Sequence, residues 1–127
     1  MLVINFGAMA NYFLWLEALA GLKALYDLSE GAVDYAANLT RHREERATQE
    51  AARRASVAYS TYSDAEIEAI LKRIEGCRQR FITQGGGDDR KACLCSIFKE
   101  IAAGNGGTLP QVDDWENMFR RLNCARI

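Results

Sequence analysis

The cysteines constrain this chain most. None occurs before residue 77; Cys77, Cys93, Cys95 and Cys124 then follow, separated by 15, 1 and 28 residues. A structural zinc site needs pairs such as C-x2-C, whose spacing lets two thiolates reach one ion from a tight knuckle. The stretch KACLCS, residues 91–96, offers C-x-C instead, with no knuckle glycine beside either thiol. A thioredoxin-type redox centre needs C-x-x-C at a helix start after a strand, and the C-x-C here falls inside a helical pattern. Four buried free thiols would act only as small hydrophobes. Two disulfides fit best: an even number of cysteines confined to one part of a small chain is how such a part is stapled in an oxidising compartment.

Four cysteines allow three pairings. Cys93 with Cys95 suits a helix least, because residues two apart point to different sides. The same divergence lets one helix offer a thiol to each of two neighbours. Cys77 with Cys95 and Cys93 with Cys124 is set slightly ahead of the swapped arrangement. Each bridge would contribute about 2–4 kcal/mol by restricting the unfolded chain.

The rest of the chain reads as helix. With 127 residues, 49% of them hydrophobic, 26% charged and only one proline, it suits a single α-rich domain with a modest core. Trp15, Leu19, Leu22 and Tyr26 step by four, three and four as the stripe of a first, amphipathic helix. Ser29-Glu30-Gly31 makes a break. A second, Arg- and Glu-rich helix follows from about residue 33 to 58. YSTYS, residues 59–63, favours neither continuation of that helix nor a core.

Ser63 with Glu66 three residues on forms a capping box that opens a third helix. Its buried stripe is Ile67, Ile70, Ile74, Cys77 and Phe81, and GGG at 85–87 ends it. A fourth helix runs from about Asp89 to Ala103, carrying Cys93, Ile97 and Ile101 on one stripe, and GNGG at 104–107 stops it. Asp113 or Asp114 caps a fifth, with Trp115, Met118, Phe119 and Leu122 inward and Cys124 after its last turn. The expected fold is all-α, about five helices: a long N-terminal helical hairpin or extension (11–60) and a compact, disulfide-bridged three-helix part (61–127), together one domain.

Residues 1–10 read as a leader outside this domain, because GAMA at 7–10 has the form left by a cleavable tag. The uncharged run 1–16 is short for a membrane span, and Glu17 and Lys23 interrupt it. It also lacks a basic start, so an export signal is expected to be missing from this sequence.

Charge and motifs narrow the function. Residues 1–60 carry six Lys/Arg against seven Asp/Glu, and residues 61–127 carry ten against ten; a nucleic-acid binder needs a one-sided positive surface. RHREER at 41–46 contains its own acids and reads as a solvated helix face, with His42, the only histidine, a surface residue. There is no G-x-S-x-G, HExxH, P-loop or dinucleotide fingerprint. The acid pairs Asp88–Asp89 and Asp113–Asp114 sit at predicted helix starts, where carboxylates complement the dipole. No catalytic residue, metal or cofactor is therefore assigned.

The expected function is non-enzymatic protein binding by an exported, periplasmic or secreted protein, as an inhibitor, immunity-type protein or assembly subunit. Tyr12, Phe13, Trp15, Leu19, Leu22 and Tyr26 are the interface candidates, for a protein partner or for homodimer formation through the first helix. Two alternatives are a membrane-associated subunit anchored through that helix and a small hydrolase using the paired acids.

Overall fold

The computed structural model describes residues 6–32, 34–48, 62–83, 87–110 and 115–126. Among them the protein is all-α: α1 (Phe6–Ser29), α2 (Tyr35–Thr48), α3 (Asp64–Thr83), α4 (Gly87–Ala103) and α5 (Trp115–Arg121), then a 3-10 turn, Cys124–Arg126. The far end expected for the second helix, and Tyr59, lie outside the described residues.

α1 differs from its expectation twice. It opens at Phe6, so the backbone of 7–10, read from sequence as leader, is already helical. It is also more than a one-sided amphipathic helix. Trp15, Ala18, Leu19, Ala20, Leu22, Ala24, Leu25, Tyr26 and Leu28 are all buried, leaving little of this stretch as a polar face. A helix apolar nearly all round must be covered on several sides, and α1 packs on α2, α3 and α4. The hairpin with α2 is therefore built into the core rather than extended from it. One hydrophobic cluster runs from Trp15 to Cys124.

Local signals end and start the helices. At the end of α1 the Ala32 N–H donates to Asp27 O at 2.9 Å and the Gly31 N–H to Leu28 O at 3.2 Å. This Schellman closure needs the φ of 109° that Gly31 supplies. Asp34 then caps α2, its Oδ1 accepting from the Ala37 N–H at 3.0 Å. The capping box at α3 forms reciprocally: the Glu66 N–H donates to Ser63 Oγ at 3.2 Å and the Ser63 N–H to Glu66 Oε1 at 3.1 Å. α4 closes as α1 does, with the Gly107 N–H on Ala102 O at 2.8 Å and Gly106 at φ 72°.

The α3 stripe is buried as its spacing predicts, and so are Leu94, Ile97, Phe98 and Ile101 of α4 and Trp115, Met118 and Leu122 at the C-terminal end. Tyr62 corrects the reading of YSTYS. It is 5% exposed, donates its hydroxyl to Ile101 O at 2.5 Å and meets the Trp15 ring edge-on at 5.1 Å. Burial, with Glu66 as a lesser contributor, pushes its phenol up to about 12. Trp15 in turn lies 5.6 Å from Trp115, and Phe98 reaches both Trp115 and Phe119. These rings tie α1, α4 and α5 together. The indole N–H groups of Trp15 and Trp115 are buried and meet no acceptor among the described residues.

Candidate functional site

α4 is the junction that KACLCS suggests, with the pairing swapped: the bridges are Cys77–Cys93 and Cys95–Cys124. The flanks of α4 explain why. Cys93, Ser96 and Glu100 follow one another at helical spacing on one flank. That flank faces α3, where Arg73 donates to Glu100 at 2.6 Å and to Ser96 Oγ at 3.1 Å. Cys77, one turn beyond Arg73, therefore meets Cys93. Cys95 shares the opposite flank with Phe98, whose ring packs against Trp115 and Phe119, and so looks toward Cys124. The sequence reading placed Cys93 with Ile97 and Ile101. In the structure Cys93 sits at the edge of the buried face, only half-buried, while Cys95 on the other flank is fully buried.

The two bridges consequently differ in setting. Cys95 and Cys124 are 1% and 0% exposed. Cys93 lines a cleft of about 440 Å³ together with Arg80, Phe81, Asp89, Arg90 and Ser96. In this cleft Arg90 lies over the Phe81 ring at 5.4 Å and donates to Phe81 O at 2.9 Å.

Two further clefts lie among the described residues. One, of about 270 Å³, lies between α1, α2 and α3 beside Tyr35, Glu17, Arg43, Glu75 and Arg78. Its charges are mutually engaged: Arg43 forks onto both Glu17 oxygens, Arg78 pairs with Glu75 at 2.8 Å, and Arg78 also stacks 5.1 Å from the Tyr35 ring. The Glu17 hydrogen bond raises the Arg43 pKa further, and burial raises that of Tyr35 against the opposing pull of Arg78. The other is a groove of about 800 Å³ where the end of α4 and the loop after it face α5. Ala102, Ala103, Leu109, Pro110 and Phe119 give it an apolar lining, with Lys99 and Glu116 among its polar residues. Leu109 and Phe119 are half-buried, so both present apolar surface to solvent.

The predicted site residues fall as follows. All four cysteines are bridged. Trp15, Leu19, Leu22 and Tyr26 are interior, at 1%, 0%, 0% and 4% exposure, so they fill the core instead of forming a surface anchor. The side chains of Tyr12 and Phe13 lie outside the described residues, as do that of Asp88 and the whole of Asp113 and Asp114. Asp89 is exposed. Among the described residues lining the three clefts, the first has Asp89, the third Glu116, and the second has Glu17 and Glu75 with their arginine partners.

His42 corrects the reading of RHREER as wholly solvated. It is 3% exposed, its Nε2 lying 2.7 Å from Asp27 Oδ2 and its Nδ1 3.1 Å from Glu45 Oε2. An imidazole can be buried between α2 and α1 because each ring nitrogen has a partner there. Its neighbours Arg41, Arg43 and Glu44 are exposed as expected. Among the described residues no three His, Cys, Asp or Glu side chains converge as metal ligands. No helix there is long and apolar enough to cross a membrane.

The α4–α5 groove escaped sequence reasoning. GNGG and TLPQV register there as a stop and a loop; the available signal was the apolar pair Leu109-Pro110 placed directly after a polar glycine turn. No family model, curated protein or solved structure matches this chain, so the site rests on its own geometry.

Proposed function

We propose that this chain is a non-enzymatic protein-recognition domain of an exported protein, acting as an inhibitor, an immunity-type protein or an assembly subunit in an oxidising compartment. The observation that carries the reading is the α4–α5 groove. Half-buried Leu109 and Phe119 leave apolar surface accessible in its lining, and a groove of this size admits one or two apolar side chains from a partner. Its two helical walls belong to elements that the Cys95–Cys124 bridge ties together, joining α4 to the turn just beyond α5. A preformed wall loses less conformational entropy on binding than a mobile one. The two disulfides support the compartment, because such bonds persist where thiols are not kept reduced. Since the described candidates of the first helix are interior, the proposed contact moves from that helix to the groove.

The test places a photoreactive amino acid at Leu109 and, as a control, at the exposed Glu68 of α3, in cells that make the protein. The expected result is one protein crosslinked from 109 and not from 68. Its affinity for the purified domain should fall at least tenfold on Leu109→Asp while the helical circular dichroism is unchanged. Equal labelling from both positions, or binding indifferent to Leu109→Asp, would overturn the reading.

A further inference from the structure

We propose that the Cys77–Cys93 bridge is a thiol-exchange site, opened by small thiols at the Cys93 sulfur, while Cys95–Cys124 is a permanent staple. This inference is independent of the protein-recognition reading. It rests on the unequal surroundings of two bonds that leave the same helix two residues apart.

Exchange requires a thiolate to approach one sulfur of the bond, so access decides which bond opens and at which end. Cys95 and Cys124 are 1% and 0% exposed, and no approach exists without opening the core. Cys77 is also covered, at 3%. Cys93 alone of the four is half-buried and lines a cleft, about 440 Å³ in volume, that can hold a small thiol. Among the described residues that line it, the cleft carries Arg80 and Arg90 with one carboxylate, Asp89, and the two guanidinium groups favour an arriving anion.

The chemistry balances with a thiol as the named co-reactant. Its thiolate attacks Cys93 Sγ, a new sulfur–sulfur bond forms between thiol and Cys93, and the Cys77–Cys93 bond breaks. Cys77 leaves as the thiolate and takes a proton from water. A second thiol attacks the sulfur of the attached one and releases Cys93 as a thiolate. The two protein sulfurs gain two electrons, and two thiols become one disulfide. Arg73, bonded to Ser96 and Glu100, still braces α3 against α4 after the bond opens, and Cys95–Cys124 keeps the C-terminus attached. The opening is therefore local.

The test incubates the folded protein with a graded excess of glutathione, quenches with acid, alkylates free thiols and maps all four cysteines by peptide mass spectrometry. The expected outcome is a two-thiol species alkylated at Cys77 and Cys93, formed at least tenfold faster than thiols appear at Cys95 and Cys124, with the early glutathione adduct on Cys93. That species should keep native tryptophan fluorescence. Earlier or simultaneous opening of Cys95–Cys124, an adduct on Cys77 in place of Cys93, or loss of native fluorescence with the first bond would overturn the proposal.

Discussion

The α1–α2 hairpin and the three helices after it reach one core by different means. α1 has 24 residues, almost every one from Trp15 to Leu28 at least half-buried, and its attachment to α2 adds ion pairs at Glu17–Arg43 and around Asp27. No cysteine is needed there. α5 has only seven residues, well below the length at which a helix persists alone. It is held by the rings of Trp115 and Phe119 and followed by a covalent tie from Cys124 back to α4. The Cys95–Cys124 staple thus falls beside the shortest helix: α1 holds itself by burial, and α5 borrows order from the bond on its flank.

The strongest way to break this comparison is to remove the staples. Closing a loop of separation 29 or 16 restricts the unfolded chain by about 3–4 kcal/mol in the entropy model. Cys95→Ala with Cys124→Ala should lower unfolding free energy by about that amount, and Cys77→Ala with Cys93→Ala by slightly less. Amide exchange locates the loss. Early loss of protection in α5, with α1 still protected, is expected; uniform loss would erase the distinction between the regions.

A smaller effect is expected where α4 ends. A Cβ on Gly104 would stand 2.8 Å from Tyr62 Cε1, whereas one on Gly76 of α3 meets nothing within 4 Å. Gly104→Ala should cost about 1–3 kcal/mol by overpacking. Gly76→Ala should add up to about 1 kcal/mol through helix propensity. Denaturant midpoints of the two variants should move in opposite directions.

Alkaline titration probes the same ring. The Tyr62 pKa rises from 10.0 to about 12 on folding, so its neutral form is favoured in the native state. That contribution is complete below about pH 10 and is lost as pH rises toward 12, because the unfolded chain releases the proton first. Thermal midpoints should therefore fall across this window, and less steeply in Tyr62→Phe. Burial also raises Tyr26 and Tyr35, so part of the slope should survive.

The smallest expected change lies in the hairpin. Arg43 and Glu17 are 50% and 40% exposed, and such pairs contribute about 0.2–1 kcal/mol, screened by salt. Arg43→Ala should shift the denaturant midpoint only slightly, and less still in 1 M salt. A loss as large as that of a disulfide would mean that ion pairs, not burial, hold α1 to α2.

Legibility in the sequence followed how local each determinant is. The Ser63–Glu66 cap, the α3 stripe and the glycine stops after α1 and α4 depend on neighbours within a few positions, and each formed as read. α1 was harder, since a stripe of Trp15, Leu19, Leu22 and Tyr26 is visible whether or not the intervening Ala and Leu residues are also covered. His42 and Tyr62 looked polar and peripheral because their partners, Asp27 and Ile101 O, are distant in sequence. The disulfide pairing needed to know which flank of α4 meets α3. Arg73 four residues before Cys77, matched with Ser96 and Glu100 on the Cys93 flank, carried that information, but only once the two helices were set side by side. The groove needed the α5 position, which no local pattern encodes.

The chain's two tryptophans are Trp15 and Trp115, one from α1 and one from α5, buried with their rings 5.6 Å apart. The protein therefore carries a built-in optical gauge of its own assembly. Rings this close couple electronically, so the near-ultraviolet circular dichroism of the pair should report whether the first and last helices are docked. Helical content, read in the far ultraviolet, can be followed separately in the same sample.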